Sequence, residues 1–262
     1  MRALRCLPIL ALAAAPLAAQ MTAAEHVARG DSAQPYLHPD VALRHYQAAL
    51  ALDSLSFEAN WKAARSISDV AKQLLGDSLK DRRDSLYSVG RTYAERALRT
   101  DSTRAEGHYA VALVLGRLSR TRGGKERVRF AKIIFDEATR AVQIDSTLDP
   151  AYHILGAWHA EVKRLSGFTR FFAKMLFGAG FMSRATWDDA VKNLERAVAL
   201  NPQHIYHRLE LAEVFEDIGQ YAKARDQYEK IATLPIADAM DPTYQREAAE
   251  HLVEIRDKKD KT

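Results

Sequence analysis

The chain has 262 residues, of which 47% are hydrophobic and 27% charged, long enough for a helical array with a continuous core. Its 38 Lys and Arg stand against 34 Asp and Glu, a formal charge of only +4, so the balance gives no support to a nucleic-acid partner. One cysteine excludes an internal disulfide, and stability must come from packing.

The opening residues Met1-Arg2-Ala3-Leu4-Arg5 are basic. An apolar run from Cys6 to Leu17 follows, then Ala18-Ala19-Gln20. This order predicts a secretory signal peptide over 1–19 and a periplasmic or secreted protein. The run is shorter than the roughly 20 residues that span a bilayer. Cys6 stands at the start of the apolar run, so it is not placed as a lipid-anchoring cysteine. Cleavage would remove Arg2, Arg5 and the only cysteine, leaving a nearly neutral chain with no later stretch apolar enough to cross a membrane.

Residues 22–34 are weakly patterned and Pro35 and Pro39 interrupt the chain after them, which leaves the completeness of a first hairpin open; beyond them apolar residues recur three and four apart, which predicts helices. One phrase returns four times: Ala49-Leu50-Ala51-Leu52-Asp53, Ala97-Leu98-Arg99-Thr100-Asp101, Ala141-Val142-Gln143-Ile144-Asp145 and Ala197-Val198-Ala199-Leu200-Asn201-Pro202. A repeated helical hairpin cannot bury its apolar face alone and stacks on a neighbour, so the prediction is an all-α right-handed solenoid. Hairpins are expected at about 23–56, 57–104, 105–148, 149–204 and 205–238, in one domain covering 20–262. Small residues mark the helix crossings: Gly156 and Ala160, Ala190 and Ala197 beside Leu194, and Ala212 and Ala224. Gly219 predicts a turn, with Tyr221 plugging the gap after it. Pro202 starts one helix, and Asp241 with Pro242 starts a capping helix over 239–258. These features resemble the tetratricopeptide repeat of about 34 residues. The middle three hairpins exceed that length, and the surplus is expected between their two helices.

The longest surplus, 165–185, interleaves Phe168, Phe171, Phe172, Met175, Leu176, Phe177, Phe181 and Met182 with Arg170, Lys174 and Arg184. Two readings apply: an amphipathic segment that touches a membrane surface or partner, or a segment that packs on neighbouring repeats. The second is preferred. Around it, Gly156-Ala157-Trp158-His159-Ala160-Glu161-Val162-Lys163-Arg164-Leu165-Ser166, Phe168, Ala173 and Leu176-Phe177-Gly178 resemble the regulator of microtubule dynamics family. So do Ala185-Thr186-Trp187-Asp188-Asp189-Ala190, Leu234-Pro235 and Glu247-Ala248. The resemblance covers about 149–255. It implies an all-α repeat domain with a partner-binding role, and it transfers no catalytic motif.

The residues that suggest chemistry have simpler readings. His204, His207 and Glu210 are spaced by three, so their side chains drift around a helix, and there is no His-Glu-x-x-His pattern; no metal is expected. His153 and His159 fall on different faces. In Arg122-Gly123-Gly124-Lys125-Glu126 the first glycine of a phosphate loop is replaced by Ser119, and Glu126 stands where Ser or Thr is needed. Asp188 and Asp189 follow Thr186, as capping residues do. No nucleophile arrangement or cofactor motif is present, so the expectation is a protein that is not an enzyme and needs no cofactor.

What remains is the concave face. The repeat register places Glu58, Trp61, Arg65, Asp69, Glu106, Tyr109, Arg117, His153, Glu161, Tyr206, Glu213, Glu216 and Asp217 on it. Aromatic and arginine side chains beside acids are the types that anchor peptides. The expectation is a scaffold that binds a protein or peptide in this groove. The acids Glu213, Glu216 and Asp217 predict a ligand with a basic end.

Overall fold

A computed structural model describes residues 21–261 except 168, 170–172, 174, 176 and 177. The predicted leader and Phe168, Phe171, Phe172, Leu176 and Phe177 lie outside the described residues. Eleven α-helices are described: α1 (Ala23–Ser32), α2 (Pro39–Leu52), α3 (Phe57–Lys72), α4 (Lys80–Thr100), α5 (Ala105–Ser119), α6 (Gly124–Ile144), α7 (Asp149–Arg164), α8 (Trp187–Leu200), α9 (Ile205–Asp217), α10 (Tyr221–Ile231) and α11 (Asp241–Ile255). They pair in sequence as hairpins, and α11 packs on both helices of the last pair. The first helices α3, α5, α7 and α9 touch one another in succession and form the inner layer. No described helix is long and apolar enough to cross a membrane.

The fourfold phrase is a helix ending. Ala49, Ala97, Ala141 and Ala197 are wholly buried, and their small side chains favour close helix approach. Each alanine's carbonyl accepts the N–H of the Asp or Asn four residues on. In the first three, the aspartate then turns its carboxylate onto the N–H two residues later: Asp53 to Leu55 at 3.0 Å, Asp101 to Thr103 at 2.9 Å and Asp145 to Thr147 at 2.8 Å. That side-chain turn stops the helix and sets the chain for the next hairpin.

The surplus length lies partly in α4 and α6, with 21 residues each against 14 in α2 and α8. The rest lies in the α7–α8 connection. There Ala173, Ala179, Met182 and Ala185 are buried in the central core and Phe181 packs against it, while Met175 is exposed. Trp158 anchors this region, donating its indole N–H to the Ala131 carbonyl at 2.8 Å.

Two helix starts follow from single side chains. Thr186 Oγ1 accepts the Asp189 N–H at 3.0 Å and caps α8. Thr186→Ala is expected to cost about 1 kcal/mol in urea unfolding, and Thr186→Ser to recover most of it. Asp241, expected to cap α11, is instead its first residue. Its carboxylate accepts the backbone N–H groups of Ala237 at 2.8 Å and Asp238 at 2.7 Å, bracing the loop before the helix.

Candidate functional site: a cavity on the inner face

Two adjoining cavities lie along the inner layer. The larger, about 530 Å³, sits between α5, α6, α7 and the α7–α8 connection. Its walls are Ala112, Leu113, Val128, Ala131, Ile134, Ile154, Ala157, Trp158 and Val162, with Gly116 in the floor. Small residues at 112, 116, 131 and 157 leave this space open; a Cβ on Gly116 would meet nothing within 4 Å. Arg117, Arg120 and Arg127 line it, with His153, Glu161 and Tyr206. Arg127 reaches Glu161 at 3.9 Å. Arg117 lies over the Tyr206 ring at 5.8 Å, and neither it nor Arg120 has an ion-pair partner among the described residues.

The smaller cavity, about 210 Å³, carries more ionisable side chains in its wall. Asp69, Lys72, Tyr109, Asp149, His153, His204, His207, Asp238 and Asp241 line it. Leu113, Arg117, His153, Ile154 and Tyr206 belong to both cavities, so one wall separates or joins them. Tyr36 from the α1–α2 loop and Ala237 and Asp238 from the α10–α11 loop also line it. There Ala239 N–H donates to the Tyr36 carbonyl at 3.1 Å, and Lys72 pairs with Asp238 at 3.3 Å. Two loops from opposite ends of the chain thus meet across the concave face.

The predicted groove residues divide into three groups. Asp69, Tyr109, Arg117, His153, Glu161 and Tyr206 line the cavities. Trp61 and Arg65 sit at the N-terminal end, where the Arg65 guanidinium stacks on Tyr36 at 4.5 Å and over Trp61 at 5.4 Å; Glu58 and Glu106 there both pair with Arg104. Glu213, Glu216 and Asp217 line neither cavity. Arg164 of α7 is held by Asp217 at 2.8 Å, Glu161 at 3.1 Å, Glu210 at 3.2 Å and Glu213 at 3.7 Å. Glu216 accepts from Tyr228 at 2.6 Å and His251 at 2.8 Å. These acids are occupied by the chain's own cations and hydroxyl, which removes the reason for expecting a basic ligand end. Burial, then the nearby Glu210, pushes the Glu213 carboxyl up to about 8.

The histidines fall into place by stacking. His204 lies on His207 at 3.9 Å, and His207 on His153 at 4.9 Å. The Asp149 carboxylate accepts from His207 Nε2 at 2.8 Å, and His207 Nδ1 is hydrogen-bonded to His153 Nδ1 at 3.2 Å. Glu210 turns away to Arg164, and no metal-holding group of three is found among the described residues. His159 stands apart, edge-on to Trp158 and accepting the Thr186 N–H at 3.3 Å.

Burial lowers His204 to about 3 and His153 well below its ordinary value, so both are neutral in the fold. The unfolded chain binds their protons below about 6.5 and the folded chain does not. Their contribution is fully present above pH 6.5 and is lost as pH falls below it, at up to about 1.4 kcal/mol per pH unit for each. The expected thermal midpoint falls steadily from pH 7 to pH 5, and His204→Asn flattens that decline.

The chain is similar to known proteins over most of its length. Regulator of microtubule dynamics protein 3 of Xenopus laevis is 28% identical over 176 residues, covering 67% of this chain and 37% of that protein. Regulator of microtubule dynamics protein 1 of Bos taurus is 26% identical over 207 residues, covering 79% of this chain and 64% of that protein. This chain therefore spans only part of the relatives it matches. Among solved structures, a thermophilic tetratricopeptide repeat protein of Thermus thermophilus superposes with a TM-score of 0.63 at 16% identity, over 88% of this chain and 99% of that one. A Pseudomonas aeruginosa protein, pilF, gives 0.52 at 15% identity, over 89% and 90%. Both agree with the repeat fold. The family model described as Regulator of microtubule dynamics protein 1-3 matches residues 25–256, and this tetratricopeptide-like helical repeat protein belongs to that family.

Proposed function

We propose that this chain is a non-enzymatic binding protein that holds an apolar chain bearing an anionic group. The observation that carries this reading is the 530 Å³ cavity, apolar in its walls, lined by Arg117 and Arg120, neither of which has an ion-pair partner among the described residues. Its volume lies in the range of small-molecule sites, roughly 300–1,000 Å³. Aliphatic walls reward burial of hydrocarbon. They offer few partners to a peptide, whose every residue brings a backbone N–H and C=O that must be satisfied when buried. A half-buried guanidinium facing such a space favours a carboxylate or phosphate there.

A second reading is an extended peptide from a partner protein, lying along the concave face of the solenoid. The smaller cavity favours it, because Asp69, Lys72 and Asp149 in its wall could serve a buried backbone. Export is proposed from the leader-like residues 1–19 alone.

Titration with a fluorescent long-chain fatty acid tests the first reading. The expected result is saturation at one molecule per chain, with displacement by unlabelled fatty acid and none by an acidic peptide. Absence of saturable binding overturns it, and displacement by the peptide alone moves the weight to the second reading.

A further inference from the structure

The positive charge of this chain is unevenly placed. From Arg117 to Lys132, seven of the sixteen residues are Arg or Lys, against one acid, Glu126. Outside that stretch acids outnumber bases, 33 to 31. The stretch runs from the end of α5 through the Gly123–Gly124 turn into the first half of α6. Acids beyond it answer only part of its charge. Asp84 reaches Arg122 at 3.2 Å, Glu161 reaches Arg127 at 3.9 Å, and Asp136 pairs with Lys132. Four acids thus meet seven cations.

The cations stand at one edge of the solenoid. Lys125, Arg129 and Lys132 are four and three residues apart, so they share a face of α6, and all three are exposed. Glu126 ties this row to the turn, reaching Arg129 at 3.6 Å and Arg122 at 3.7 Å. The same turn borders the larger cavity. Arg120, Gly123, Gly124 and Arg127 belong to its wall, with Thr169 of the α7–α8 connection. All five are exposed, so the cavity reaches the surface at this edge. Ala173 of that connection lines it too, and Met175, two residues on, is 58% exposed.

We propose that this edge, the α5–α6 turn with the first half of α6, docks on a membrane surface rich in anionic lipid and brings the mouth of the cavity to it. The choice of a membrane over other polyanions rests on the cavity reading, because apolar walls and an exposed Met175 reward hydrocarbon, which a nucleic-acid strand does not offer. The docking itself needs only charge. Each Lys or Arg close to an anionic bilayer adds to the attraction, which fades within a Debye length, about 10 Å at 0.1 M salt.

Cosedimentation of the full chain with vesicles decides it. In low salt, vesicles of phosphatidylcholine with one-third phosphatidylserine are expected to bind the protein saturably, and vesicles of phosphatidylcholine alone are not. Lys125→Glu/Arg129→Glu is expected to weaken binding at least tenfold. Arg99→Glu/Arg140→Glu makes the same change in net charge at exposed positions near the opposite ends of α4 and α6, and is expected to stay within twofold of wild type. The neutral pair Lys125→Gln/Arg129→Gln, which sets no new acid beside Glu126, is expected to weaken binding at least threefold with an unchanged thermal midpoint. Absence of binding by wild type, or an equal loss in the two charge reversals, overturns the proposal. So does capture of a single-stranded oligonucleotide without capture of vesicles, which assigns the patch to nucleic acid. Vesicle binding by a protein that takes up no fatty acid fails the cavity reading and leaves the docking edge standing; fatty-acid uptake without vesicle binding does the reverse.

Discussion

Gly156→Ala destabilises the protein, although alanine is the better helix former. The site is the crossing of α7 on α8, where a Cβ would stand 2.5 Å from Leu194 Cγ and 3.0 Å from the Ala190 carbonyl oxygen. Leu194 is wholly buried, so its side chain has no free space to yield into, and the carbonyl belongs to helix backbone. Helix propensity favours alanine over glycine by about 1 kcal/mol. Overpacking a filled core costs about 1–3 kcal/mol, so the net change is a loss, and Gly156→Val loses more. Leu194→Ala alone is expected to cost about 2–5 kcal/mol. Combined with Gly156→Ala it removes the clashing Cγ, so the two costs fall short of additive by at least about 1 kcal/mol in a urea double-mutant cycle. Gly116→Ala is the contrast, since its Cβ meets open space; it leaves stability unchanged or slightly raised.

Arg117→Leu is the change expected to act most on binding. Arg117 stands at the wall common to both cavities and has no ion-pair partner among the described residues, so leucine removes charge without orphaning an acid. The affinity for a long-chain fatty acid is expected to fall at least tenfold, about 1.4 kcal/mol. Affinity for the matching fatty alcohol is expected to stay within threefold, because the apolar walls are untouched. Arg120→Leu, at an exposed position, is expected to have the smaller effect. A loss shared equally by acid and alcohol would point to a collapsed cavity rather than to charge recognition.

Much of this is legible in the residues because the controlling interactions are local. The Ala-to-Asp phrase encodes a helix stop within a few residues, and Thr186 with Asp189 encodes a start. Gly156 and Leu194 are coupled by hairpin register, which periodicity reveals. The acids at 213, 216 and 217 mislead because their partners are distant: Arg164 is 53 residues from Asp217, and nothing in spacing shows it crossing from α7 to α9. The loop closure escapes for the same reason, since Tyr36 and Ala239 meet only when the whole solenoid has curved. Asp241 stands at a helix start, as expected, but bonds backwards into the loop, a choice set by Ala237 and Asp238 rather than by its own helix. The cavity is harder still. Small residues usually signal close approach, as at Gly156; at Gly116 and Ala157 they leave space, and only the absence of a facing large side chain distinguishes the two.

The measurement that bears most directly on the cavity as the binding site is photolabelling with a diazirine-bearing fatty acid, mapped by mass spectrometry. The account predicts adducts concentrated on Leu113, Val128, Ile154 and Ala157, lost when unlabelled fatty acid competes. Adducts scattered over the outer helices, or unchanged by competition, would contradict it.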